Sequence, residues 1–310
     1  MNAAEEYGER DALLEALVLR GLLLPTGVPG VYGRGAELET VLLAFDALVT
    51  RETERDGAEV IRFPPVLPRT QLETSGYLSS FPHLAGSVFS FDGSETEAIE
   101  LGARAGEHAD WSELQTMTEV TLAPAACYPV YPWASAAGPL PEQGRLVDVC
   151  SYCFRHEPSY DPARMQSFRM RELVRLGARD AVTEWHRGWV ERGGEILRSI
   201  GLHTEVVPAN DPFFGRAGRM LAANQRDQGL KLERVFPIAD GGPTAIMSIN
   251  YHQDHFGLDF GIRTAGGDVA HSACFGFGLE RVTLALFGAH GLDPAAWPDA
   301  VRSRLKLDGD

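Results

Sequence analysis

Apolar residues recur at helical spacing over two stretches near the start of the chain. Over residues 9–24, Leu13, Leu14, Leu17, Val18 and Leu22 share a face, and Gly21 with Pro25 closes the segment. Over Ala36–Arg55 the pattern repeats with Leu38, Val41, Leu42, Phe45 and Leu48. Two amphipathic helices are therefore expected to form a helical N-terminal segment over residues 1–56. At Glu59 the pattern changes to an extended one, Val60-Ile61 followed by Phe63-Pro64-Pro65-Val66-Leu67-Pro68, where the prolines forbid helix and point to an edge or interface strand.

Beyond this, short β-rich runs alternate with turns: Ser87–Phe91, Val120–Leu122, Leu146–Arg155, Met165–Arg175, Val235–Pro237, Ala245–Tyr251 and Phe256–Ile262. Most of the connections are too short for crossover helices, which predicts antiparallel pairing. Helices are expected over Ala181–Ile200, Arg216–Gln228 and Gly278–Phe287. The fold class is α+β: an antiparallel sheet flanked by helices, in a single domain over residues 1–310, with insertion helices at about 181–228.

Composition narrows the functional classes. With 310 residues and 44% hydrophobic residues the chain can build a substantial core without staples. Its net charge of −15, with no basic run longer than two residues, disfavours a phosphate-backbone footprint for nucleic acid. The N-terminus has no apolar stretch of signal-peptide type, and no apolar run approaches a membrane span. The four cysteines then read as thiols or metal ligands in a soluble, cytoplasmic protein.

Three stretches carry chemistry. In the expected strand Val147–Glu157, Cys153, Arg155 and Glu157 share one face, while Cys150, Tyr152, Phe154 and His156 share the other. The Cys150-x-x-Cys153 pair thus points to opposite sides and is read as two packed thiols, not half a zinc site. The turn Pro158–Ala163 returns the chain into Arg164–Glu172, which gathers arginine, carboxylates and Phe168 into an anion-binding cleft or, alternatively, a solvated hairpin with ordinary ion pairs. In Ala273–Val282 alternate glycines lead into a helix whose first turn holds Arg281. A cation there opposes the helix dipole and calls for a compensating role, such as holding phosphate or stacking on a ring.

Taken together these stretches resemble class II aminoacyl-tRNA synthetases. Phe154-Arg155-His156-Glu157 with Phe168–Glu172 is similar to their second motif, Gly276-Phe277-Gly278-Leu279-Glu280-Arg281 to their third, and Phe63–Pro68 to a degenerate first motif. Within that class the chain resembles the amino acid:[carrier protein] ligases, truncated relatives of the atypical seryl-tRNA synthetases of methanogens. Ala126-Cys127-Tyr128-Pro129, Cys153–Ser159, Asn210–Gly215, Asn250–Gly257 and Ser272–Gly278 all read like that family.

The resemblance implies a function and a set of residues. The chain would activate a small amino acid, glycine or alanine, with ATP to an aminoacyl-adenylate and pass it to the phosphopantetheine thiol of a carrier protein, as a homodimer and without tRNA. The family's Cys, Glu and Cys zinc ligands match Cys127, Glu172 and Cys274; the open zinc position would select the substrate's α-amino group, with Asp211 either an acid near that amine or a cap before Pro212. Arg155 would touch the α-phosphate and the substrate carboxylate, Phe168 would stack on adenine, and Arg281 would cover its other side and reach the γ-phosphate. The backbone at Arg164 and Met165 would read the adenine edge and Glu157 its amino group. Lys231, Glu233 and Ala245–Ser248 fall on nucleotide-contacting strands. Magnesium would accompany ATP, held by Glu233 with Ser248 or Asn250, although the sequence departs from the seryl enzymes in offering Thr244 and Ala245 where they carry a metal-binding glutamate.

His252, His255 and His271 with Asp254 read as ordinary core or surface groups and not a second metal cluster. Arg216, Arg219 and Arg226 lie loosely on one predicted helix face, read either as a docking patch for an acidic carrier or as a solvated face. Two other functions compete: a tRNA-charging seryl-type synthetase, and an inactive paralogue serving as a binding protein.

Overall fold

The computed structural model describes residues 12–308 apart from 216–219, 221–224, 227 and 240–241. Twelve strands occur among these residues: β1 Leu23–Pro25, β2 Tyr32–Arg34, β3 Glu59–Ile61, β4 Val66–Pro68, β5 Ser87–Ser90, β6 Thr116–Leu122, β7 Arg145–Phe154, β8 Ser167–Gly177, β9 Glu205–Pro208, β10 Lys231–Ala239, β11 Gly242–Gln253 and β12 His271–Gly278. Seven of them form the central sheet in the order β3-β7-β8-β12-β11-β10-β9. Its pairs are antiparallel except the edge pair β3 with β7, which is parallel. β4, β6 and β5 make a separate three-stranded sheet, and β1 with β2 a hairpin. The proline-rich stretch therefore does supply an edge strand, β4.

One face of the central sheet is covered by three helices, Ala36–Thr53, Arg179–Arg198 and Leu279–His290. Leu42 and Phe45, Trp189 and Ile196, and Leu284 and Phe287 from these helices are buried against Leu173, Ile249, Phe275 and Phe277 of the sheet. Trp189 lies flat on Phe275, with ring centroids 3.8 Å apart. The opposite face buries Val147, Val149, Val174, Leu176 and Cys274 with Val130 and Tyr131. Period-two alternation explains this partition: Phe275 and Phe277 point to the helices while Cys274, next to Phe275, points away. The same rule separates Cys150, packed toward the helical layer, from Cys153, buried on the other side.

Several expectations change. Phe256–Ile262 is not a strand: His255–Asp259 is a short helix. Phe256 and Phe260 are i and i+4 as well as alternate residues, so the apolar pattern fits both periods. Two tertiary contacts decide it. Phe256 stacks on Tyr131 at 3.8 Å, and Gly257 approaches Ala270 so closely that a Cβ would lie 2.1 Å from its carbonyl oxygen. The helix Glu95–Gly106, closed by a Ser94–Glu97 capping box, was not expected, nor were Arg69–Thr74, Val130–Ala136 and Asp299–Leu305. Most of the helix expected over 216–228 lies outside the described residues. None of the helices among the described residues is long and apolar enough to cross a membrane.

β8 divides its chemistry by face. Its odd positions carry Arg169 and Arg171 into the helical layer, where burial has to be matched by charge. Arg169 binds Glu39 at 2.5 and 2.7 Å and Glu280 at 3.0 Å, and Arg171 binds Asp46 at 2.6 Å and Asp148 at 2.5 Å. Glu280, 2% exposed, also accepts the backbone N–H of Arg169 at 2.7 Å and lies 2.9 Å from Nε of Arg34. Deleting one partner of a buried ion cluster leaves uncompensated charge. We expect Glu280→Ala to destabilise the fold by about 3–5 kcal/mol, measured as a lowered urea midpoint; a shift below about 1 kcal/mol, the ceiling for an exposed pair, would show the cluster to be solvated.

Candidate active site

The even positions of β8 face a cavity of about 450 Å³ lined by Phe168, Met170 and Glu172, together with Arg155, Cys127, Cys274, Asp211, Lys231, Glu233, Ala245, Ser248, Asn250 and Arg281. At one end Cys127, Glu172 and Cys274 converge, all buried, with their Sγ and carboxylate atoms within 4.8 Å of one another. Glu172 is fixed by accepting the backbone N–H groups of Ala126 at 2.8 Å and Cys127 at 3.2 Å. Its cross-strand neighbour is Gly276, where a Cβ would lie 2.8 Å from Glu172 Cγ, so glycine is needed to seat the carboxylate. Asn250 Nδ2 and His252 Nε2 stand 3.6 and 3.7 Å from Cys274 Sγ.

The electrostatics of this corner describe the donor set. Burial, reinforced by Cys274, pushes the Glu172 carboxyl up to about 8. Between the two thiols the shared hydrogen bond favours the proton on Cys127, which is raised, and the thiolate on Cys274, which is lowered. Two sulfurs and a carboxylate without a lysine or arginine among them make a fitting cage for a thiophilic divalent ion, whose charge would let all three donors ionise. Three such ligands would leave a tetrahedral ion one open position.

The other end of the cavity is cationic. Arg155, held by Nε to the carbonyl of Pro124 at 3.0 Å, places its guanidinium 5.5 Å from the Phe168 ring centre. Arg281 bridges the carbonyls of Ala163 at 2.8 Å and Ala245 at 3.0 Å. Burial, and then the neighbouring charge of Arg155, pushes the pKa of Arg281 down. Burial acts the same way on Arg155, but the surrounding acidic groups Tyr77, Cys153, Glu157 and Asp211 outweigh it and hold that guanidinium up. Glu157 faces Arg164 at 3.9 Å, and Met165 is buried in the wall.

Along the side wall Asp211 receives Lys231 Nζ at 2.6 Å and Gln225 Nε2 at 2.8 Å. Despite burial, the Lys231 ammonium holds its carboxyl below the usual range. Asp211 thus serves an ion pair and caps no helix among the described residues. Lys231 also reaches Glu233 at 3.1 Å, and Ser248 Oγ lies 3.5 Å from that carboxylate. Asn250 turns instead to Cys274.

The histidines do not gather. His252 adjoins the Cys274 corner and bonds Ser272 at 3.1 Å, His271 bonds the Tyr251 hydroxyl at 2.6 Å, and His255 pairs with Asp259 at 3.5 Å. Among the described residues no second group of metal-binding donors converges. Arg216 and Arg219 lie outside the described residues, and Arg226 is spent on Asn210 at 2.6 Å.

Sequence reasoning missed an aromatic wall. Tyr77, Phe81 and Leu84 line the cavity. Phe81 stacks on Phe213 at 5.0 Å, His83 lies 5.3 Å from Phe214, and Phe214 N–H donates to Ser80 at 2.9 Å. Tyr77 and Leu84 sit in two short helices, Tyr77–Ser80 and Pro82–Leu84, while Phe81, Phe213 and Phe214 lie outside them; with no periodic signal, only Asn210–Gly215 gave a hint of this wall.

The sheet topology, with helices covering one face and the cavity on the other, is the fold of the class II aminoacyl-tRNA synthetases. The fold matches the Methanopyrus kandleri seryl-tRNA synthetase, solved in complex with an A. aeolicus tRNASec, with TM-score 0.81 and 19% identity over 97% of this chain and 61% of that one. It also matches the Naegleria fowleri cytoplasmic serine-tRNA ligase bound to AMP, with TM-score 0.71 and 14% identity over 96% and 59% of the two chains. No family model matches the chain. Sequence comparison is more specific: two Bradyrhizobium diazoefficiens proteins, amino acid–[acyl-carrier-protein] ligases 2 and 1, are 47% and 46% identical over 91% of this chain and 84% and 86% of their own lengths. The chain belongs to this family of ligases. The Methanopyrus kandleri type-2 serine–tRNA ligase is 24% identical over 88% of this chain and 57% of its own.

Proposed function

We propose that the chain condenses a small amino acid, glycine or alanine, with ATP to an aminoacyl-adenylate and transfers the aminoacyl group to the phosphopantetheine thiol of an acyl carrier protein. The observation that carries this reading is the polarity of the one cavity: a Cys127–Glu172–Cys274 donor set at one end and Arg155 with Arg281 at the other. An amino acid placed between them has its carboxylate facing the arginines and its α-amino nitrogen facing the donor set.

Cys127, Glu172 and Cys274 would hold zinc, which supplies a Lewis-acidic position for the free α-amino group. Arg155 binds and orients the carboxylate, bringing one oxygen in line with the α-phosphorus while its cationic charge offsets the charge that builds up there. Phe168 and Arg281 hold the adenine between them, with Arg281 also reaching the γ-phosphate of the leaving pyrophosphate, and the backbone at Arg164 and Met165 with Glu157 reads its edge. The carboxylate oxygen forms a bond to the α-phosphorus as the bond to pyrophosphate breaks. No general base is required, because the nucleophile is already ionised and catalysis rests on position and charge. Magnesium would arrive with the ATP phosphates, with Glu233 and Ser248 as the candidate protein oxygens. Lys231 keeps Asp211 and Glu233 in place along the wall. The chain is proposed to act as a homodimer.

ATP–pyrophosphate exchange with zinc-replete protein across all amino acids tests the first step. Exchange supported by glycine or alanine is expected, followed by thioester formation on a phosphopantetheinylated carrier. Absence of exchange with every amino acid would leave a binding protein, and charging of tRNA in place of the carrier would assign the seryl-type activity.

A further inference from the structure

The stretch 162–168 walls the nucleotide end of the cavity with Pro162, Ala163, Met165 and Phe168, yet most of it precedes β8 and has no sheet partner of its own. Its support comes from the N-terminal hairpin. The turn between β1 and β2 passes behind the stretch and presents two carbonyls to Gln166. The backbone N–H of Gln166 donates to Gly30 at 2.7 Å, and its side-chain Nε2 donates to Pro29 at 2.8 Å. Gln166 is 5% exposed, so neither bond competes with bulk water. Gly30 has φ +76°, and a Cβ there would lie 3.2 Å from both the Arg164 carbonyl and Gln166 Cγ, so the approach is as close as a glycine allows. From β2, Arg34 donates to the Ser167 carbonyl at 2.9 Å while its Nε lies 2.9 Å from Glu280.

The turn is itself well fixed. Thr26 Oγ1 donates to Val31 at 2.7 Å and accepts from the N–H of Val28 at 3.3 Å. Below it Leu22 and Leu23 are buried in the main core, and Gly35 N–H closes onto the Leu22 carbonyl at 2.9 Å. On the cavity side the same stretch is held by Arg281 at Ala163 and by the N–H of Arg155 at the Gln166 carbonyl, 2.9 Å. The stretch is thus gripped from two sides. None of the described residues of 12–35 lines the cavity, so the hairpin acts on a ligand indirectly, through this grip and through Arg34 on Glu280.

We infer that Gln166, latched to the Pro29–Gly30 carbonyls, is a positioning residue for the nucleotide, and that the N-terminal hairpin is a brace keeping 162–168 in its ATP-receiving shape. The inference rests on reading the cationic end of the cavity as the ATP site. A braced wall is already ordered when ATP arrives; an unbraced one has to be ordered on binding, at the expense of affinity.

Gln166→Ala removes the Pro29 bond and leaves the backbone bond to Gly30. Gly30→Ala attacks the same latch from the hairpin side, through the positive φ and the Arg164 contact. For each variant we expect Kd for a non-hydrolysable ATP analogue, by calorimetry, and KM for ATP in pyrophosphate exchange to rise roughly tenfold, about one lost hydrogen bond with its ordering cost. At saturating ATP, kcat and the KM for amino acid should stay within about twofold, the signature of lost ground-state binding. A merely structural role would lower all parameters with the folded fraction. Wild-type binding of the analogue together with unchanged affinity in both variants overturns the brace and leaves the ATP site standing. Failure of wild-type protein to bind the analogue overturns the site and the brace with it. If Gln166→Ala does not fold, Gly30→Ala decides on the same readouts.

Discussion

Cys274→Ala is expected to lower amino-acid-dependent pyrophosphate exchange by roughly a thousandfold, about 4 kcal/mol of activation free energy, and to yield protein without bound zinc. The thiol lies within 4.8 Å of the other two donors in a corner with no cationic side chain among them, and is the member of the thiol pair that sheds its proton. Its removal leaves a Cys–Glu pair, too few ligands for a closed-shell tetrahedral ion. The packing loss is small, one sulfur atom on the sheet face opposite the helical layer, so thermal unfolding should remain cooperative. Zinc content by elemental analysis, measured beside exchange, separates the two effects. A metal-free Cys274→Ala protein that exchanges at the wild-type rate would refute the donor-set reading, and zinc restoring exchange to chelated wild-type protein would support it.

Arg281→Ala is expected to reduce exchange by about 10²–10³, the usual cost of removing one preorganised charge donor from a reacting centre. Its two carbonyl contacts, to Ala163 and Ala245, join the stretch before β8 to β11, so alanine removes both a charge and a strut. Arg281→Lys separates them: it keeps the charge but not the planar fork that reaches two carbonyls. Partial recovery in the lysine variant is the expected result when charge is the larger part. Exchange by Arg281→Ala within about threefold of wild type, far short of that cost, would mean that the residue merely ties two segments together.

Particular residues show how far the sequence could be read. The amphipathic helix Ala36–Thr53 and the hairpin β7–β8 were legible because their apolar periods persist over many residues. The opposite facing of Cys150 and Cys153 followed from strand alternation alone. Phe256–Ile262 was misread as a strand because two phenylalanines satisfy both periods, and contacts with Tyr131 and Ala270, distant in sequence, decide the outcome. The Cys127, Glu172 and Cys274 donors come from a loop and two neighbouring strands, with no local spacing rule to join them. Only family resemblance brought them together. The Gln166 latch left no trace in periodicity, since it depends on backbone carbonyls that any residue can supply.

One strand, β8, carries Arg169 and Arg171 toward the helices and Phe168, Met170 and Glu172 toward the cavity. Insertion or deletion of a single residue in it would exchange the two sets, sending arginines into the metal corner and a phenyl ring among carboxylates. Folding and chemistry would then fail together. A change of substrate is therefore open to side-chain replacement at the even positions or to remodelling of the surrounding loops, and both demands at once weigh against a change in the length of this strand.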